Sequence, residues 1–346
     1  MKHLRVLFLA SALGACSSNP STSVMPGPPA ASIVPNAVTA QHTLDLRPAS
    51  AGPFLGCSYP SGDMWQTDIS SAGLASDSAA NIKATIDGHG NGRFSAGVIV
   101  GGQKNITNEY INMANNSTHL VAVHPKKSYH TPKSPEPWVF SPPFYIEPTS
   151  NAHAMVLQKD ACQYYETYST TAKPATHQLS AYSGTFVDLT QPFTRPATGG
   201  CSTSSCIPIG LLAVRPEELA AGVINHALGW DAISGSVSKN NCVSPAAVTG
   251  CTDSRAYRGP QREAPQAMPA GAHIRLKASF DISNFHPEAK IVATALRHYG
   301  AYLFATGTNN LIPFVNDVNG APAWNADDQS DLGSISIGDF DVVTAP

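Results

Sequence analysis

The sequence predicts an all-β, β-rich sandwich of jelly-roll or lectin/glucanase-like type with one packed α-helix. Three observations lead there. Charged residues make up only 13% of the 346-residue chain while Gly (27) and Pro (28) are plentiful, the balance of many short strands joined by turns rather than of a helix bundle. Strand-like runs recur between turn residues. Full helix punctuation brackets one long segment alone, "HPEAKIVATALRHYG" (286–300), with Pro287 at its start and Gly300 at its end.

The runs are "GVIVGG" (97–102), "THLVAVH" (118–124), "WVFSPPFYI" (138–146), "HAMVLQ" (153–158), "QYYETYS" (163–169), "GTFVDL" (184–189), "GVINHALGW" (222–230) and "HIRLKASFDI" (273–282), read as strands of an antiparallel body. In the helix, Ile291, Val292, Ala295, Leu296 and Tyr299 follow the three-and-four spacing that puts one apolar stripe on a sheet. A shorter helical interruption, "RPEELAAG", carries Pro216 in its first turn and stops at Gly222. The acidic run "NADDQSD" (325–331) lacks the turn glycine and terminal Glu of an EF-hand loop and reads as a solvated loop.

Residues 1–15 have a positive start, an apolar run from Val6 to Leu13 and then small residues, the layout of a secretory signal, and the run is too short to span a bilayer. Leu13-Gly14-Ala15-Cys16 resembles a bacterial lipoprotein box, which implies cleavage before Cys16, lipid on its thiol and, with Ser17 following, outer-membrane retention. Residues 16–50 are rich in Ser, Pro and Ala without apolar periodicity, a flexible tether. Residues 51–346 then form a single domain, and 42% apolar residues supply its core. A formal charge of −3 leaves no basic field to gather phosphates, so nucleic acid is excluded as a partner.

Export places the six remaining cysteines in an oxidising compartment, where three disulfides are expected. Short separations favour Cys201 with Cys206 and Cys242 with Cys251, leaving Cys57 to reach Cys162. No pair of close cysteines is matched by a second pair or by paired histidines, so no metal and no other cofactor is expected.

Four residues are candidates for catalysis. In "NAHAMVLQKDACQYYETY" a hairpin turn centred on Lys159-Asp160 sets His153 across from Glu166, with Met155, Leu157, Cys162 and Tyr164 on the same face. A carboxylate within hydrogen-bond reach fixes a histidine's tautomer, the arrangement a general acid or base requires; the same two residues could equally be a polar pair on a solvated face. In "GVINHALGW" the alternation puts His226 among Ile224, Leu228 and Trp230, as either a packed core histidine or the working group of a site. "CTDSRAYRGPQR" supplies Tyr257, and with it Arg255 and Arg258, which together with Trp230 are candidate sugar-binding groups. Asp281 in "DISNFH" is expected to cap local amides. No Gly-x-Ser-x-Gly elbow is present.

The segments "MWQTDIS" (64–70), "HAMVLQKDACQYYE" (153–166), "GVINHAL" (222–228), "SRAY" (254–257), "HIRLKASFDIS" (273–283) and "ALRHYGAYL" (295–303) together resemble a group of exported bacterial proteins of unassigned chemistry. The resemblance places His153, Asp160, Glu166, His226 and Tyr257 in that group's recurrent segments and implies no reaction.

The functional expectation is a lipid-anchored carbohydrate-active protein, a glycoside hydrolase or polysaccharide lyase, with polysaccharide and the outer membrane as partners. The alternative is a noncatalytic glycan- or envelope-binding lipoprotein using the same face.

Overall fold

A computed structural model describes residues 56–57, 59, 62–88, 94–97, 109–114, 122–125, 145–147, 151–173, 178–193, 201–233, 237–246, 267–307, 310–317 and 326–344. All of them fall in the unit Pro48–Pro346. Strands dominate, as the composition predicts, but the sheets are mixed rather than antiparallel.

The larger sheet runs in the order β1 (Phe94–Gly97), β14 (Asn310–Pro313), β9 (Leu228–Ile233), β13 (Ala301–Gly307), β12 (His273–Leu276) and β16 (Phe340–Val343). Its β1–β14 and β9–β13 pairs are parallel, while β12 is antiparallel to both β13 and β16. The second sheet runs β15 (Val315–Asp317), β2 (Glu109–Ala114), β4 (Ala154–Gln158), β5 (Gln163–Tyr168) and β8 (Ser183–Asp188). There β15–β2 and β2–β4 are parallel, and the β4–β5–β8 meander is antiparallel. Smaller sheets are formed by β3 (Ala122–Pro125), β7 (Gln178–Ala181) and β6 (Thr171–Lys173), and by β10 (Val237–Cys242) with β11 (Met268–Ala270). The chain passes from the larger sheet to the second through Phe314, which bridges to Val214 between β14 and β15.

Parallel neighbours are buried on both faces, so their strands read as apolar runs without alternation. In β4 all five residues from Ala154 to Gln158 are buried. That is the physical reason the sequence pattern did not disclose the mixed pairing.

Four α-helices are present among the described residues, where the sequence marked two helical segments and expected one of them to pack on the sheet: α1 (Ser78–Gly88), α2 (Pro216–Ala221), α3 (Pro287–His298) and α4 (Ala326–Ser334). The predicted helix is α3, and it buries Ala289, Val292, Ala293, Ala295 and Leu296, while Ile291 and Tyr299 lie at the margin of the stripe. It ends at Gly300, whose positive φ of 67° and close approach to the Ile274 carbonyl leave no room for a Cβ. Helix α2 stops at Gly222 as expected, also in the left-handed region.

The acidic run is not a loop but forms much of α4. Asp328 is buried and accepts from the Ala289 amide at 3.0 Å, and Asp331 accepts from the His286 amide, so two carboxylates of α4 satisfy open N–H groups at the start of α3. Two other expectations are shortened. "HIRLKASFDI" is extended only to Leu276, after which the chain turns, and "GVINHALGW" becomes a strand only at Leu228. The runs "GVIVGG" and "THLVAVH" are described only at their β1 and β3 ends, and most of "WVFSPPFYI" lies outside the described residues.

Cys57 is bonded to Cys162, with Cα atoms 5.5 Å apart, and Cys201 to Cys206, as the spacing suggested. Cys242 is disulfide-bonded too, and Cys251, its expected partner, lies outside the described residues. No helix among the described residues is long and apolar enough to cross a membrane.

Candidate functional site

The β4–β5 hairpin keeps the predicted face but shifts its register. Its turn is Lys159–Cys162, so Met155 rather than His153 pairs with Glu166, and Ala154 with Thr167. His153 lies just before β4, with its ring centroid 5.5 Å from that of Tyr168. The acid it meets is Glu147, whose Oε2 accepts from His153 Nδ1 at 2.8 Å and from the His153 amide at 3.1 Å. On the other side of the ring, Nε2 lies 3.2 Å from the Ser202 carbonyl. A carboxylate and a carbonyl can only accept, so this arrangement is complete when both ring nitrogens carry protons.

Glu166 has a different task. It is fully buried, and its Oε2 accepts from the Tyr164 hydroxyl and from the amides of Ile209 (2.8 Å) and Gly210 (3.1 Å). These amides open the short 3-10 turn Gly210–Leu212, whose donors have no partner within the turn, so the carboxylate clamps β5 to the segment that covers it.

His226 is likewise fully buried. Its Nδ1 faces the Ala227 carbonyl and its Nε2 faces Glu218 Oε1, both at 2.8 Å. Arg215, also fully buried, binds the same Glu218 oxygen, and the Arg215 amide donates to Glu218 Oε2. Burial pushes the Glu218 carboxyl up, but the Arg215 charge and then His226 overcome it and hold the group below the usual carboxylate range. Burial raises the Tyr59 hydroxyl, which donates to the Leu211 carbonyl beside this network.

The structure therefore does not join His153, Glu166 and His226 by hydrogen bonds. His226 is bonded to Glu218 and Ala227, and Glu166 to Tyr164, Ile209 and Gly210; neither is bonded to the other or to His153. Trp230 is fully buried in β9, opposite Leu303, and is a core residue rather than an open sugar platform. Tyr257, Arg255, Arg258 and Cys16 lie outside the described residues. Asp281 caps the Ser283 amide at 2.8 Å, as expected. Among the described residues no group of three or more His, Cys, Asp and Glu side chains is arranged to hold a metal ion.

Sequence reasoning missed Asp231. It follows Trp230 in β9, and burial lifts its carboxyl to about 8, with the His153 charge acting in the opposite sense. A lone acid inside the uncharged run "LGWDAI" was the available signal, since strand interiors seldom hold one without a reason. Glu147 and Ser202 carried no comparable mark, because they lie in irregular backbone that no periodicity reveals, and Glu218, though in α2, meets a histidine that lies in irregular backbone ahead of β9.

No family model, curated protein or solved structure matches the chain.

Proposed function

We propose that the chain is an exported envelope protein, lipid-anchored at Cys16, that binds glycan without cleaving it. The observation that carries this reading is the commitment of His226: a buried imidazole with both nitrogens facing acceptors has no lone pair to take a substrate proton and no open path to one. Glu166, equally buried, supports the absence of cleavage. The two large sheets are taken as the layers of a mixed sandwich, a reading supported by the single chain that runs through both at Phe314; its parallel pairs are not jelly-roll pairings.

A second reading, cleavage, is favoured by one observation, the His153–Glu147 pair, in which a carboxylate orients an imidazole as general acid–base chemistry requires. The two are separated by incubating the mature protein with a panel of plant and bacterial polysaccharides and measuring retention on each together with new reducing ends and unsaturated uronate products. Retention without product is the expected result. Product formation that disappears in His153→Ala overturns the noncatalytic reading, and failure to retain any polysaccharide overturns glycan binding. Labelling with a clickable fatty acid, lost in Cys16→Ala, tests the anchor.

A further inference from the structure

Two of the disulfides differ in how a reagent in solution reaches them. Cys201 and Cys206 are both buried, in a loop whose Ser205 amide and hydroxyl bind the Phe304 carbonyl of β13. The Cys57–Cys162 bridge is one-sided. Cys57 is 1% exposed and packs in the main core, whereas Cys162 is half-buried and closes the β4–β5 turn, in which Lys159 and Asp160 are exposed and Ala161 is half-buried. An approach from solvent meets Cys162 first.

In thiol–disulfide exchange a thiolate must reach one sulfur, and the other sulfur is the leaving group. Here the reachable sulfur is that of Cys162 and the leaving one that of Cys57. Both lie 3.7 Å from a single acceptor, the Lys159 carbonyl. With the bond closed they have no hydrogen to give it; once the bond is open, each thiol finds an acceptor already in place. The segments joined by the bridge are also held without it. The Tyr59 hydroxyl donates to the Leu211 carbonyl at 3.3 Å, the Phe193 amide to Asp63 Oδ2 at 2.9 Å and the Ala227 amide to the Trp65 carbonyl at 2.6 Å, while β5 is laddered to both β4 and β8. The two cysteines therefore stay face to face when the bond between them is cut.

We propose that the Cys57–Cys162 bridge is a reversible thiol-exchange site entered at Cys162. An external thiolate bonds to Cys162 Sγ as the Sγ–Sγ bond breaks, and the electron pair passes to Cys57 Sγ, which takes a proton from water. A second thiolate of the reagent then attacks the reagent's own sulfur in this mixed disulfide, which releases Cys162 as a thiol. The cystine is reduced by two electrons, and two reagent thiols are oxidised to a disulfide. The partner is a thiol reductant, best a dithiol, presented to the open turn; the same steps in reverse, with its disulfide form, close the bridge again. This site is independent of the glycan-binding reading.

The test exposes the folded mature chain to reduced glutathione without denaturant, quenches in acid at short times and maps adducts and free thiols by peptide mass spectrometry. Glutathione should be found on Cys162 with Cys57 as the free thiol, and this bridge should open about tenfold faster than Cys201–Cys206, because attack follows access to the sulfur. Oxidised glutathione should then restore the bridge, and circular dichroism should keep the native spectrum throughout. Two variants put the same question without exchange: the lone Cys162 of Cys57→Ser should react with iodoacetamide about tenfold faster than the lone Cys57 of Cys162→Ser. Should either variant not fold, the adduct map of the wild type decides alone. Glutathione on Cys57, opening of Cys201–Cys206 as fast or faster, opening only after denaturant is added, or loss of the native spectrum on opening each overturns the proposal.

Discussion

His226 Nε2 lies 2.8 Å from Glu218 Oε1, an oxygen also bound by the Arg215 guanidinium, at a place solvent does not reach. Removing one partner from a buried charged network leaves the others uncompensated, at a cost of about 3 kcal/mol. His226→Ala should therefore lower the melting temperature by several degrees while leaving glycan affinity per folded molecule unchanged. A near-native melt with loss of binding would reassign His226 to the ligand.

Glu166→Gln should be milder, a loss of about 1–2 kcal/mol, because the amide keeps an oxygen to accept from Tyr164, Ile209 and Gly210 and loses only the charge that strengthens those bonds. Denaturant midpoints compare the two variants directly; a Glu166→Gln loss as large as that of His226→Ala would mean that one neutral accepting oxygen cannot hold the clamp.

The disulfides should differ in weight. In the chain-entropy view, closing the span from Cys57 to Cys162, a separation of 105, stabilises by about 4–5 kcal/mol, and closing Cys201–Cys206, a separation of 5, by about 2 kcal/mol. Cys57→Ser should lower the denaturant midpoint more than Cys201→Ser. Mass spectrometry before and after reduction, gaining two hydrogens per bridge, establishes which bonds each variant retains.

Asp231 predicts a loss of stability on the alkaline side. An unfolded aspartate ionises near pH 4, whereas burial holds the native carboxyl protonated to about 8. Between those values the native state retains a proton that the unfolded chain has released, so stability falls as pH rises through the window and levels above it. Asp231→Asn has no such slope, and its melting temperature relative to wild type should rise from pH 5 to pH 8.5. Parallel curves would show that Asp231 ionises normally.

His273 acts at the other end. Burial pushes its imidazole down to about 4, against the hydrogen bond to the Tyr299 carbonyl at 2.7 Å, and its ring stacks on Tyr302 at 3.8 Å. Below about pH 6.5 the unfolded chain takes up a proton the native state refuses, so stability falls as pH drops towards 4 and levels below it. His273→Gln, which can still donate to Tyr299, should show a shallower acid slope in denaturation midpoints measured at pH 7 and pH 4.5. An unchanged slope would place acid sensitivity elsewhere.

Patterns set by burial were legible in the sequence; partnerships set by irregular backbone were not. In "GVINHALGW" the alternation marks Ile224, His226, Leu228 and Trp230 as one face, and all four are buried; of the other face Val223 and Asn225 are exposed but Ala227 is buried, and the backbone is not a strand before Leu228. Alternating burial needs only a chain lying across a core edge. The hairpin face of His153 and Glu166 was readable by parity, but the register was not: Cys162 takes a positive φ of 48° and completes a four-residue turn, moving every pair by two positions. Helix α4 escaped notice because its acidic residues were read as solvated, when Asp328 in fact turns inward to α3.

The Cys57–Cys162 bond also sets how force would enter the molecule. Tension on the chain ahead of residue 57 arrives at Cys57 and crosses a covalent link directly to the turn between β4 and β5. The elements between the two cysteines, α1 and strands β1 to β4, then lie in a closed loop outside the line of pull, and they cannot be unspooled one by one from the end of the chain. The load reaches β5, which is laddered to β4 on one side and β8 on the other, so the point of attachment is held at two edges at once. A domain tethered in this way would resist drag at the strength of its paired strands rather than at that of its outermost turn.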